Sequence, residues 1–433
     1  MAGEVAETVY GLISVNFSKS PLGDLCIADG GVQTGPFGSQ LHATDYVKQG
    51  TPIITVEHLG ENRIIHSNLP RVTDEDKERL SKYTLKTGDI VFSRVGSVDR
   101  RAIVHPEEDG WLFSGRCLRV RPDKKKIDPG YLSWFFGLPG FQDYIRQIAV
   151  GATMPSLNTT ILSEVAIYYP PSSKEQQAIA CILGALDDKM DLNRRINQTL
   201  EAMARTIFKS WFVDFDPVYT KAEGRDPGLP KKIADLFPDR FEDSDLGEIP
   251  KGWRIDALGN VLELAYGKAL KEEERRPGPI PVFGSNGQVG WHDEKLVEGP
   301  GIVVGRKGNP GIITWAPTDF FSIDTTFYVV PKTKDLSFHF LFYALHGQNL
   351  PSLGADSAVP GLNRNIAYVS QQIIPPPEII QQFDKHAMPI YAKLHENNIE
   401  VLILASIRDA LLPKLISGEL RVRDAERIVG RAL

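Results

Sequence analysis

Two stretches of this chain carry apolar residues at alternating spacings of three and four, the pattern of a helix with one narrow buried face. In the first, Ile179, Ile182, Leu186, Ile196, Leu200, Met203 and Ile207 fall on one register, with Lys189 and Asn193 at the two intervening seam positions. In the second, Ile380, Phe383, Ala387, Ile390, Leu394, Asn397, Val401 and Leu404 step the same way, again with an asparagine in the seam. Ser173 followed by Gln176 is a capping-box start, and Pro375 to Pro377 stops the preceding strand and opens the second helix. Each pattern predicts a helix of about 35 residues, roughly 50 Å long. Helices that long with narrow stripes predict an antiparallel coiled coil in which the polar seam residues fix register.

Ahead of each helix the pattern shortens to β-branched runs punctuated by Gly and Pro. It predicts strands at Pro52–Glu57, Asp89–Arg94, Ala102–Val104, Cys117–Arg121 and Val165–Tyr169, with helices at Asp74–Lys82 and Pro129–Ile148. The same grammar returns as strands at Gly301–Gly305, Gly311–Trp315, Thr326–Val330 and Tyr368–Ile374, with a helix at Phe338–Leu345. The fold class is α+β, two modules each with a modest, irregular sheet.

The recurrence is also literal. Gly151, Ala152 and Pro155 to Asn158, then Pro170, Pro171, Gln176 and Gln177, return as Gly354, Ala355 and Pro360 to Asn363, then Pro375, Pro376, Gln381 and Gln382. From the Pro-x-Leu-Asn runs to the Gln-Gln pairs the offset holds at 205 residues. Upstream the echoes are weaker and drift: Leu22–Leu25 against Leu258–Val261, and Gly88 to Gly96 with Arg94 against Gly301 to Gly308 with Arg306. A period this long is a tandem duplication of domain-sized units, not a solenoid. Two like modules in one chain suit a ligand that repeats in space, such as two half-sites on one duplex.

Composition narrows the class. With 433 residues and 42% hydrophobic content, the chain can bury two or three ordinary cores. No run approaches a membrane span, and the acidic start is unlike a signal peptide, so a cytoplasmic location with no membrane partner is expected. Cys26, Cys117 and Cys181 lack pairing or zinc spacing, so each is expected to be a buried free thiol and no metal site is expected. The net charge of −6 is unusual for a nucleic-acid binder, but residues 171–250 alone carry about −4 of it, notably Asp214, Asp216, Glu242, Asp243, Asp245 and Glu248. The acidity therefore sits mainly in the connection between the modules, and a more basic partner is expected to share phosphate neutralisation.

A search for catalytic chemistry finds little. Gly267-Lys268 lacks the upstream glycine and following hydroxyl of a phosphate-binding loop, and no Gly-x-Gly-x-x-Gly follows a strand. Asp216-Pro217-Val218-Tyr219 only superficially resembles an amino-methyltransferase motif, since it lacks the second proline and follows a helix. What recurs instead is polar, glycine-rich loops carrying isolated Arg, Lys, Gln or Asn, whose donor and acceptor patterns match base edges, beside hydroxyls suited to phosphates. In the first module these are Gln33, Thr34, Gly35 and Ser39 on one loop and Arg94, Arg100 and Arg101 around Gly96. In the second they are Lys268, Asn286 in the turn Gly284–Gly287, and Arg306 with Lys307. The aromatic run Trp211, Phe212 and Phe215 reads as a helix-end cap or a partner-docking patch.

Taken in order, several segments resemble the specificity subunits of type I restriction-modification systems. They are Gln33-Thr34-Gly35-Pro36-Phe37-Gly38-Ser39, Leu85 to Val91 with Arg94-Val95-Gly96, Pro155-Ser156-Leu157-Asn158, Pro170-Pro171 with Glu175-Gln176-Gln177, Trp211 to Phe215, and Leu412 to Leu420. The resemblance implies two pseudo-repeated α/β target-recognition domains separated by two long antiparallel coiled-coil helices. It places the first domain at 1–172, the first spacer helix at 173–215, a crossover linker at 216–252, the second domain at 253–375, the second helix at 376–422 and a tail at 423–433. It further implies a non-catalytic subunit that reads a bipartite target on double-stranded DNA and binds two modification subunits and, where the system cleaves, restriction subunits. No cofactor is then expected in this chain; S-adenosylmethionine and ATP with Mg belong to the partner subunits. A scaffold whose two modules grip a protein is the alternative reading.

Overall fold

The computed structural model describes residues 4–37, 40–151, 153–353 and 361–430. The chain divides into two compact units, Met1–Leu192 with Glu400–Leu433, and Asn193–Ile399. Of the positions read from sequence, Gly38, Ser39, Ala152, Gly354, Ala355 and Pro360 lie outside the described residues.

Unit 1 is built on β1 (Val32–Thr34), β2 (Thr51–Ile54), β3 (Ile90–Ser93), β4 (Arg101–Ile103), β5 (Leu112–Phe113) and β6 (Cys117–Val120). One sheet runs β1-β6-β3-β4 and ends on the short strand Glu61–Asn62; a second places β2 between β5, which is parallel to it, and Arg71–Val72. The expected helix over Pro129–Ile148 is two helices, α1 (Pro129–Phe135) and α2 (Pro139–Ile148). Pro139, without an N–H and with a ring that crowds the preceding turn, opens a new helix and cannot extend the old one. Phe92 and Leu118 of the sheet pack with Phe135 and Phe141 of these helices and with Phe136 between them. Each such side chain contributes roughly 1.5–3 kcal/mol on burial.

Unit 2 repeats the topology. Its strands are β7 (Leu262–Tyr266), β8 (Ile280–Gly284), β9 (Gly287–His292), β10 (Gly301–Gly305), β11 (Ile313–Ala316), β12 (Phe321–Ser322) and β13 (Thr326–Pro331). They form the sheets β7-β13-β10-β11 and β9-β8-β12, with β8 and β12 again parallel. The hairpin β8–β9 is the main departure from unit 1. The strand expected over Tyr368–Ile374 begins only at Gln371, because Asn363 caps a short helix, Arg364–Val369, just as Asn158 caps Thr159–Glu164 in unit 1.

The segment expected as a crossover, 216–252, is structured. It holds the helix Asp216–Ala222 and a hairpin, Phe241–Ser244 with Gly247–Pro250. That hairpin matches Val5–Thr8 with Gly11–Ser14 at the head of unit 1, and Gly11 and Gly247 turn at φ +101° and +92°. The strand after each hairpin then pairs with the strand that ends the same half: Ser18–Pro21 with Ala166–Tyr169, and Arg254–Ala257 with Gln371–Ile374. The duplication therefore starts at these hairpins, upstream of the sequence echoes.

The two long helices, which we call α3 (Ser173–Phe212) and α4 (Pro377–Ile416), have 40 residues each. Each unit contains the first half of one and the second half of the other, so the halves pair antiparallel. In α4 the predicted stripe is inward and runs on: Ile380, Phe383, Ala387, Ile390, Leu394, Asn397 and Leu404 are buried, followed by Arg408, Leu411 and Leu415. In α3 it is inward only at first. Ile179, Ile182 and Leu186 are buried, but Ile196 and Met203 are 36% and 50% exposed, and Met190, Asn197, Ala204, Phe208 and Trp211 take the inner positions. A straight helix drifts ~20° per heptad from a 3.5-residue repeat, which moves the buried line one residue along.

Candidate nucleic-acid interface

Corresponding loops in the two units are held by the same backbone bonds. At the end of β1, Gly35 N–H donates to Cys117 O (3.2 Å), and at the end of β7, Gly267 N–H donates to Thr326 O (3.1 Å). Both glycines lie against a carbonyl that a side chain would strike: an added Cβ would sit 2.2 Å from Ser114 O and 2.1 Å from Ile323 O. Beyond β3 and β10, the Arg94 and Arg306 N–H groups donate to Arg116 O (2.8 Å) and Thr325 O (2.9 Å), while their carbonyls accept from Leu157 and Leu362, each at 2.9 Å. Two residues later Gly96 and Gly308 both turn at φ +81°, with open space around the missing Cβ.

These anchors project like side chains. The Arg94 guanidinium lies 4.8 Å over the Phe37 ring and the Arg306 guanidinium 4.7 Å over the Tyr266 ring, and both rings are 48% exposed. In unit 1 the loop borders a cleft of about 680 Å³ lined by Phe37, Tyr46, Glu57, Arg100 and Arg116 among others. In unit 2 exposed Lys268 and Lys307 flank the cluster, and Asn286 accepts from the Asn309 amide, tying the β8–β9 turn to the Arg306 loop. Among the described residues Arg94, Arg100, Lys268, Arg306 and Lys307 form no ion pair. By contrast Arg63, Arg121, Arg276 and Arg408 are each neutralised by a carboxylate. The interface is thus locally cationic in a chain of net charge −6.

Other candidates have different roles. Gln33 is half-buried and its Oε1 accepts from the buried Arg119 (2.6 Å), so that side chain is engaged within the sheet; Thr34 is a strand residue opposite Leu118. Arg101 is a correction. It is only 7% exposed, its Nε donates to Ser133 O (2.9 Å), and burial pushes its pKa down to about 10. Alternation along β4 turns Arg101 inward. Of the two readings of Trp211, Phe212 and Phe215, the helix-end cap fits and the docking patch does not: none exceeds 8% exposure, and at the end of α3 they pack with Phe237, Trp253, Phe340 and Phe383 in the core of unit 2. They are core residues and present no docking patch on this chain. Of the thiols, Cys26 and Cys117 are buried as expected, whereas Cys181 is exposed.

Sequence reasoning missed Arg364, whose guanidinium also lies over Tyr266 (4.6 Å), and did not single out Phe37 or Tyr266 as site residues. Arg364 directly follows the repeated Leu-Asn pair, where unit 1 has Thr159; a charge adjoining a duplicated motif was the available signal. Among the described residues there is no group of three or more His, Cys, Asp or Glu able to hold a metal, and no helix long and apolar enough to cross a membrane.

The family described as "Type I restriction modification DNA specificity domain" matches residues 15–202 and 250–402. The chain belongs to that family. It is 32% identical over 353 residues to a putative type I restriction enzyme MjaX specificity subunit of Methanocaldococcus jannaschii, covering 71% of this chain and 76% of the relative. It is 26% identical over 431 residues to the type I restriction enzyme HindI specificity subunit of Haemophilus influenzae, covering 83% and 92%. The fold is that of the S subunit of a type I restriction-modification system from M. genitalium, with a TM-score of 0.63 at 18% identity over 92% of this chain and 96% of that one. The two family matches fall on the two halves that share strand order, glycine anchors and arginine–aromatic pairs.

Proposed function

We propose that this specificity-family chain is the DNA-sequence-recognition subunit of a type I restriction-modification complex, with each unit reading one half of a bipartite target. The observation that carries this is the duplicated constellation: a glycine at a carbonyl, an arginine with no ion pair among the described residues lying over an exposed aromatic ring, and an open left-handed glycine, in both units. Arginine serves both base edges and phosphates, and a glycine turn without side-chain bulk lets backbone N–H groups approach a duplex. Arg94, Arg100, Lys268, Arg306 and Lys307 are the contacts we assign. The chain is a non-catalytic member of the complex. Methyl transfer from S-adenosylmethionine and ATP-driven translocation with Mg belong to the modification and restriction subunits, two modification subunits matching the two units. In this reading the paired helices set the gap between half-sites.

The test is to purify the chain with its modification subunit, supply S-adenosylmethionine and map methylated adenines on a random DNA library. A two-part motif with a fixed gap is the expected result. Methylation without a motif by an active complex would instead favour the protein-gripping scaffold.

A further inference from the structure

Arg306 and Arg364 both place their guanidinium groups over one exposed ring, that of Tyr266, at 4.7 and 4.6 Å. Neither forms an ion pair among the described residues. There, Arg306 Nη1 donates to Asp324 O (3.1 Å) and Arg364 Nη1 to Leu264 O (3.3 Å), which leaves most of the five N–H donors of each group for a ligand. Two like charges gathered at one ring, neither paired with a carboxylate among the described residues, repel one another, and an anion within reach of both reduces that repulsion. A single base edge takes one guanidinium in a bidentate pair, whereas a phosphate offers several acceptor oxygens to two. Among the described residues unit 1 holds one guanidinium, that of Arg94, over the matching ring Phe37, with Thr159 at the position of Arg364.

We infer that the Arg306–Tyr266–Arg364 cluster is a seat for a backbone phosphate of DNA, with Tyr266 positioning both arginines, and that unit 1 offers a single guanidinium there. This rests on the DNA-recognition reading and adds to it a residue, Arg364, that holds the backbone and reads no base.

The experiment uses the full chain with its modification subunits, titrating salt against a random-sequence duplex and against a duplex carrying the mapped motif. Arg364→Ala is expected to weaken both alike, to reduce the magnitude of the log–log salt slope by ~0.9, or about threefold in affinity between 50 and 200 mM salt, and to leave the motif unchanged. Arg364→Lys keeps most of the slope, and Tyr266→Ala behaves as Arg364→Ala while Tyr266→Phe does not. Thr159→Arg, at the start of a surface helix, is expected to steepen the slope, so the idea stands or falls even if Arg364→Ala folds poorly. An unchanged slope in both Arg364→Ala and Thr159→Arg, or a motif altered at one base by Arg364→Ala, overturns the phosphate seat. If the wild-type complex selects a motif while the slopes do not move, only the seat fails. If it selects none while Arg364→Ala still flattens the slope on random duplex, the seat stands and sequence recognition fails.

Discussion

At the scale of single residues, burial separates arginines that the sequence presents as equals. Arg94 and Arg101 both bracket Gly96, yet Arg94 reaches an exposed ring and Arg101 a carbonyl of α1 inside the protein. Arg101→Ala is therefore expected to cost about 2–4 kcal/mol of stability, whereas Arg94→Ala is expected to leave the urea midpoint nearly unchanged and to cost ~1–3 kcal/mol in DNA binding. Equilibrium unfolding and binding isotherms on the same two variants check both halves. The thiols divide similarly. Burial pushes Cys26 and Cys117 up to about 12 from 9.0, while Cys181 is exposed, so only Cys181 is expected to react rapidly with an alkylating reagent at pH 8. The unfolded thiols ionise near 9.0 and the folded ones near 12, so stability present below pH 9 is lost as pH rises through that window. Cys26→Ala is expected to make the alkaline loss shallower in pH-dependent melting.

At the scale of elements, the helices were the most legible part of the chain, because a stripe spaced by three and four is a local property. Their starts and most of the α4 stripe follow from the pattern, whereas their far ends, at Phe212 and Ile416, differ from the expected 215 and 422. The first cap is made by Ser172, whose Oγ accepts from Glu175 N–H, with the Gln176 side chain bonded to Pro170 O and Asp128 N–H. The drift of α3 does not, since Ile196 and Met203 look like core residues until the partner face is known. The seam polarity carries real bonds. In unit 2, Asn397 Nδ2 donates to Asn197 Oδ1 and Asn197 Nδ2 to Asn398 Oδ1, each at 2.8 Å, with Asn397 1% exposed. Asn397→Ala leaves the buried Asn197 oxygen without its donor and is expected to cost about 1–3 kcal/mol in urea unfolding, with much of that loss restored when Asn197 is also made apolar. In unit 1 the equivalent polar point is Asp187 of α3, 4% exposed, which accepts from Arg408 of α4 (3.1 Å) and from Arg63 beside the sheet (3.2 Å). Arg63 also pairs with Asp188 and Asp191, and Arg408 with Glu61 and Asp409, so both arginines keep a partner when Asp187 is lost. Asp187→Ala removes only the buried member of this network and is expected to destabilise by about 1–3 kcal/mol in urea unfolding.

At the scale of the whole molecule, duplication was legible in sequence where spacing stayed in register and lost where loops changed length. The 205-residue offset locates Asn158 with Asn363 and Pro170 with Pro375, but it hides the matching hairpins at Gly11 and Gly247, which are offset by 236. It equally hides the equivalence of Gly35 and Gly267, whose flanking residues differ and whose common feature is the carbonyl each one meets. Long-range backbone contacts of that kind leave no local pattern, so the site residues were only partly readable: Arg94 and Arg306 by their echo, Arg364 only through its place beside the repeated Leu-Asn pair. Family membership and a shared strand order in both halves support two readers in one chain. The most direct measurement of that claim is to exchange residues 253–375 for the corresponding segment of another specificity subunit and map the adenines methylated by the reconstituted complex. If each unit reads its own half-site, one half of the motif changes while the other half is kept. A motif that changes in both halves, or in neither, would contradict it.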